Sequence, residues 1–163
     1  MASSCSKNGI SEAAGIQLHP RTKGPIVDES YQTNIKGIFA CGNALHVHDL
    51  VDFVTEESIR TGKAVSRYIK NELTEAKTFD TEAKNGISYI VPQKINASNL
   101  DKKIELFMRV NAVHHDTELI VKGDGKEIRR IKKQHMAPAE MEKVVLAKKQ
   151  LEGISGTLTV EVK

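Results

Sequence analysis

Two hydrophobic periodicities divide the chain, and the change falls near residues 74–86. In the first part, Ile59, Gly62, Val65, Ile69 and Leu73 stand three and four residues apart, with Tyr68 beside them. That spacing predicts a helix from about Thr55 to Leu73 with one apolar stripe. Glu56 and Glu57 in its first turn and Lys70 in its last suit the helix dipole. Upstream, Pro20, Gly24 and Pro25 punctuate a loop, and Ile26 and Val27 begin an extended piece. The run Ile35-Lys-Gly-Ile-Phe-Ala-Cys-Gly42 then predicts a short buried strand ending in a glycine.

After the change the period is two. Ile87, Tyr89 and Val91 alternate, as do Ile104, Leu106, Met108 and Val110, and again Leu158, Val160 and Val162. Such alternation marks strands with one buried face. Leu119 and Val121 lead into Gly123-Asp-Gly125, a hairpin turn signal, with Ile128 and Ile131 on the returning strand. Residues 140–151 fit either a helix or a strand. Short strands with regular turns predict a small antiparallel β-sandwich over residues 85–163. The polar stretch 74–84 reads as a linker, and residues 1–10 as a disordered tail.

Composition narrows the function classes. The 163 residues are 39% hydrophobic and 28% charged, which suits one or two folded domains rather than a disordered chain. Aromatics are 4% and Trp is absent, so a base-stacking platform for nucleic acid is excluded. The net charge of +3 is modest. No apolar run approaches the roughly 18–20 residues of a membrane span, and the N-terminus lacks a signal-peptide core. Two cysteines, Cys5 and Cys41, make neither a disulfide framework nor a CxxC redox pair. A cytoplasmic setting follows as the expectation.

Several groups invite sharper chemistry. His46 and His48 flank one residue, and His114 and His115 are adjacent, but zinc needs three or four ligands and neither pair has a third at suitable spacing. The expectation is loop histidines in solvent or hydrogen bonds, and no metal. Cys41 reads as a small core residue. Asp49, Asp52, Glu56 and Glu57 gather at a helix start, where capping and the dipole account for them. The basic residues Lys126, Arg129, Arg130, Lys132 and Lys133 read as a solvated face or, alternatively, a patch for an acidic partner. No nucleophile-elbow arrangement is present, and no catalytic residue is assigned.

The segment Thr33-Asn-Ile-Lys-Gly-Ile-Phe-Ala-Cys-Gly42-Asn43, followed by Ala44-Leu-His-Val-His-Asp-Leu-Val-Asp-Phe-Val-Thr55 and the helix, resembles the second FAD-binding motif of FAD-dependent pyridine nucleotide-disulfide oxidoreductases. The loop from Leu45 resembles the subgroup accompanying glycerol-3-phosphate dehydrogenases and sarcosine-oxidase-like subunits, in which a β-rich tail follows the helix. The resemblance implies that residues 11–73 are a strand-loop-helix remnant of a Rossmann-like FAD domain. It implies that Gly42 and Asn43 meet the ribityl chain, and that Phe53, Val54 and Thr55 lie along the flavin. The commoner family residue at position 43 is Asp; Asn keeps the hydrogen bond and drops the charge. The first fingerprint, GxGxxG, and a nicotinamide domain do not occur in this sequence. The implied role is a C-terminal fragment or subunit of an FAD/NAD(P)-dependent oxidoreductase, binding FAD only with the missing FAD/NAD(P)-binding domains or a dehydrogenase subunit. Homo-oligomerisation is left open. The alternative is a non-catalytic β-sandwich interaction module.

Overall fold

The computed structural model describes residues 9–163. Cys5 and most of the expected tail lie outside the described residues. The chain is mixed α and β, with two mostly antiparallel sheets and few helices. It divides into two compact units between Glu72 and Leu73.

The first unit holds α1 (Gly9–Ala13), a one-turn 3₁₀ helix (Gly42–Ala44) and α2 (Val51–Ile69). Between the helices the chain is held by turns. Asp28 Oδ1 accepts the N–H groups of Ser30 and Gln32, each at 2.9 Å. Main-chain bonds from Ala40 N to Tyr31 O (3.0 Å) and Thr33 N to Ile38 O (2.8 Å) then fold residues 31–40 back on themselves. The buried strand expected over residues 35–42 is not formed. Its pairing is an isolated bridge between Phe39 and Gln32, Ile38 is exposed, and Cys41 is half-buried with Sγ 3.8 Å from Ser58 Oγ. The run is apolar enough for a sheet interior, but among the described residues no strands flank it, and an unflanked apolar segment cannot bury both faces.

α2 also departs from its expected register. It starts four residues earlier than the apolar spacing predicts, and the acid in its first turn is Asp52, the base in its last Arg67. The residues it buries are Glu57, Thr61 and Ala64, while Ile59 and Ile69 are 54% and 71% exposed. Tyr68 meets Phe39 edge-on, with ring centroids 5.6 Å apart, and seats the helix on the 31–40 turn. Among the described residues of this unit, the buried apolar side chains are Val27, Tyr31, Leu45 and Ala64.

The second unit contains β1 (Phe79–Ala83), β2 (Ile87–Val91), β3 (Lys94–Ile95), β4 (Lys103–Val110), β5 (His114–Gly123), β6 (Lys126–Met136), β7 (Glu142–Ala147), α3 (Lys148–Leu151) and β8 (Thr157–Val162). One sheet has the order β3-β1-β8-β5-β6 and the other β2-β4-β7. Inward residues of both sheets form one core: Leu106 and Met108 from β4, Leu119 and Val121 from β5, Leu146 from β7, Leu158 and Val160 from β8. The alternation read from the sequence sets which face of β4 and β8 turns inward.

Three expectations change here. The stretch taken as linker carries β1, which pairs with β3 and β8, and Phe79 is its buried anchor. β1 and β8 run parallel, so the sheet is not wholly antiparallel. Residues 140–151 resolve into β7 followed by the short α3. The β5–β6 hairpin does turn at Asp124 and Gly125, with φ of 48° and 82°, the left-handed pair that a two-residue hairpin loop needs. Asp124 also accepts N–H groups from Ser155, Gly156 and Thr157, each at 2.9 Å, which ties the hairpin tip to the start of β8. Those bonds hold its carboxyl below the usual Asp range.

Candidate functional site: a buried His-Glu-His cluster

Gly42 is the pivot of the first unit's loop. Its φ of +64° turns the chain out of the 31–40 segment and into the 3₁₀ turn. Leu45 is then buried, and the next residues alternate: His46 inward, Val47 outward at 63% exposure, His48 inward. Both imidazoles face the same way, since both reach the one Glu57 carboxylate. They face α2. Its seventh residue, Glu57, projects from the inward side of the helix and is fully buried.

Glu57 gathers the cluster. Its Oε1 accepts the Gly42 N–H at 2.5 Å, and its Oε2 lies 3.2 Å from His46 Nε2. His48 Nε2 is 3.3 Å from Oε1. The imidazole centroids are 4.4 Å apart with the rings inclined at 61°. Side-chain exposures are 1% for His46 and 0% for His48 and Glu57. Burial works to raise the Glu57 pKa. The hydrogen bonds from His46 and His48, the charge on His46 and the Gly42 N–H outweigh it and hold the carboxyl at about 2. The site therefore keeps an anionic carboxylate between two imidazoles. Such a trio can pass protons or ligate a divalent cation.

Sequence reasoning placed His46 and His48 in solvent or loop hydrogen bonds and gave Glu57 a capping role; the structure buries the histidines against Glu57, with His46 hydrogen-bonded to it, and gives Glu57 no part in the cap. The N-cap of α2 is Leu50, with no side-chain cap. Because the helix begins at Val51, Glu57 falls in its second turn and on its inner side. The signal in the sequence was the stripe Glu57, Thr61, Ala64, which shares the helical period with the apolar stripe that was followed instead.

The residues expected to meet flavin are arranged unevenly. Gly42 is buried, its N–H is given to Glu57, and a Cβ there would lie 3.4 Å from Val54 Cγ1. Its N–H is thus used within the unit, and the Cβ contact is an ordinary one. Asn43 is exposed, and its Oδ1 accepts the His48 N–H at 3.2 Å, leaving the side chain at the surface beside the loop. Phe53 and Val54 are half-buried; Thr55 is exposed, with its hydroxyl donating to Val51 O at 3.1 Å. Successive helical residues point about 100° apart, so these three cannot all line one face of a ring. Asn43 at the surface and the first turn of α2, which has no side-chain cap, are the groups left to offer hydrogen bonds outward.

In the second unit, His115 and His135 face each other across β5 and β6, Nδ1 to Nδ1 at 3.4 Å. The basic residues of β6 are partly engaged. Arg130 pairs with Glu118 and Glu127, Lys133 with Glu142 at 2.6 Å, and Arg129 donates to Val145 O at 2.6 Å. No helix among the described residues is long and apolar enough to cross a membrane. No family model, curated protein or solved structure matches the chain.

Proposed function

We propose that the first unit is the flavin-side end of an FAD-binding domain, and that the chain is a C-terminal part or subunit of an FAD/NAD(P)-dependent oxidoreductase acting in the cytoplasm. The observation that carries this reading is the inverted burial of α2. The helix buries Glu57 and Thr61 and exposes Ile59 and Ile69. Ile38, Val47, Leu50 and Val51 of the same unit are exposed as well. Exposed apolar side chains gathered on one small unit mark a surface made to be covered. The missing Rossmann-like sheet, with its GxGxxG strand, is the covering that the resemblance supplies. Asn43 at the surface and the uncapped start of α2 favour the same reading, since both present hydrogen-bonding groups without an internal use for all of them. FAD, when bound, supplies the hydride and electron chemistry. The residues here hold and orient its ribityl and ring edge.

Mixing tests it. A polypeptide carrying the GxGxxG fingerprint, loaded with FAD, is passed over a sizing column with and without this chain. Co-elution with retained flavin absorbance is the expected result, and the chain alone should carry no stoichiometric FAD. Stoichiometric flavin on the chain alone, or no complex with any fingerprint-bearing partner encoded beside it, overturns the proposal.

A second reading, a non-catalytic interaction module, draws on β6. It is an 11-residue strand at the sheet edge with mostly exposed side chains, many of them basic. An acidic partner retained by residues 73–163, and lost when Lys126 and Lys132 become Glu, would favour it.

A further inference from the structure

We propose that His46, His48 and Glu57 form a mononuclear site for a divalent transition-metal ion of the zinc type. One ligand atom from each residue lies within 4.8 Å of the others. Each imidazole already stands at ligand spacing from the Glu57 carboxylate, His46 on Oε2 and His48 on Oε1. Zn–N and Zn–O bonds of about 2.0–2.2 Å place neighbouring ligands of a tetrahedron roughly 3.3–3.5 Å apart. His46 Nε2 stands 3.2 Å and His48 Nε2 3.3 Å from the Glu57 carboxylate. With the three ligand atoms within 4.8 Å of one another, rotation of the carboxylate and the rings is what would bring them onto one ion.

The donor set selects the ion. Two imidazoles and one carboxylate suit Zn²⁺, Co²⁺ or Fe²⁺; Mg²⁺ and Ca²⁺ favour oxygen ligands throughout. A dication also answers the charge at this place. The carboxylate is shut off from water and now draws its compensation from the Gly42 N–H and the two imidazoles, and the ion would take over that role.

The surroundings hold the ligands in place. The Gly42 N–H fixes one carboxylate oxygen, the Thr61 hydroxyl bonds the Glu57 carbonyl at 2.9 Å, and Asn43 Oδ1 accepts the His48 main-chain N–H. Such supports orient the ligands of a metal site. Three protein ligands leave one position of a tetrahedron to be filled. This inference does not need the flavin reading, since its readouts involve the metal alone.

The full-length chain, stripped with a chelator, is titrated with Zn²⁺ by calorimetry and with Co²⁺ as an optical probe. The expectation is one equivalent with a dissociation constant on the order of micromolar or tighter, and no comparable response to Mg²⁺. Removing a supporting partner of a metal ligand costs about 10–100-fold in affinity. His46→Ala and His48→Ala, which remove ligands themselves, should therefore each weaken Zn²⁺ by about 100-fold or more. A double His115→Ala/His135→Ala variant should bind as the parent does. The second measurement needs no variant: imidazole ¹⁵N spectra of the parent chain, in which Zn²⁺ should move the His46 and His48 Nε2 resonances and leave His114 unmoved. Zn²⁺ affinity no better than millimolar, or imidazole shifts confined to His115 and His135, overturns the proposal.

Discussion

Gly86 and Gly125 offer a paired test of the second unit's packing. Both sit at nearly the same backbone angle, φ +81° and +82°, so replacing either with alanine carries the same left-handed penalty, about 1–2 kcal/mol. Both replacements also stiffen the unfolded chain alike, an effect that cancels between them. The surroundings differ. A Cβ on Gly125 meets nothing within 4 Å, whereas one on Gly86 would lie 2.6 Å from Val162 Cβ and 2.7 Å from its Cγ2. The nearest atom is the Cβ of a β-branched residue, fixed to the main chain of the central strand β8, so no rotamer change relieves the overlap. Either β8 shifts away from β5 or the turn before β2 opens. Overpacking of this kind costs about 1–3 kcal/mol. Gly86→Ala should thus be less stable than Gly125→Ala by about that amount, with the total loss at Gly86 about 2–5 kcal/mol. The assay is urea unfolding of the full chain, followed by resolved amide signals of the second unit. The slope should stay constant while the midpoint moves. In a heat melt each kcal/mol is about 4–8 °C for a unit of this size. Equal midpoints for the two variants would refute the reasoning, because the overlap with Val162 would then carry no free energy.

Three further outcomes are expected. Residues 73–163 alone should give a dispersed amide spectrum with slow hydrogen exchange, because the shared core lies wholly within them, whereas residues 1–72 alone should give little protection. In a flavin-loaded complex with the missing domains, Asn43→Leu should weaken FAD by about 1–3 kcal/mol, or roughly ten- to a hundred-fold, read by flavin fluorescence titration; Cys41→Ser should leave electron transfer intact. The lowered pKa of Asp124 means that its contribution to stability is complete above the ordinary Asp value of about 3.9 and is lost as pH falls through the lower folded value. Asp124→Ala should therefore lower the neutral-pH midpoint and flatten its acid dependence, as measured by unfolding curves from neutral to strongly acidic pH.

The strands that were legible in the sequence are those whose stability comes from one apolar face. β4 and β8 each place every second side chain in the core, and that is the pattern alternation reveals. β1 was hidden because its place in the sheet comes from main-chain pairing on both sides. It buries Phe79 and leaves Asp80, Glu82 and Ala83 outside, so its polar side chains look like a linker. The parallel pairing of β1 with β8 was beyond reach for a different reason: periodicity fixes which face a strand buries but not its neighbour or its direction.

α2 shows the harder failure, and it bears on both proposals. Its helical character was plain from the spacing, but the helix carries two stripes of the same period. Ile59 follows Glu57 by two residues, about 200° around the axis, so burying one stripe exposes the other. Hydrophobicity alone selects the isoleucine side. The structure selects Glu57, because the carboxylate meets the Gly42 N–H and two imidazoles, and charged hydrogen bonds in a water-free site can outweigh the transfer of two isoleucines. Under the proposed function, the isoleucine face is the side that the missing domain covers. Covering Ile59 and Ile69 would then add apolar burial on one side of α2 while the His46-His48-Glu57 cluster stays closed on the other. A helix held from both sides couples whatever binds at the cluster to whatever docks on the isoleucines. If a flavin-bearing partner covers that face, any change that Zn²⁺ makes in the partner's affinity should be matched by the same factor in the partner's effect on Zn²⁺, read by titrating each in the presence of the other.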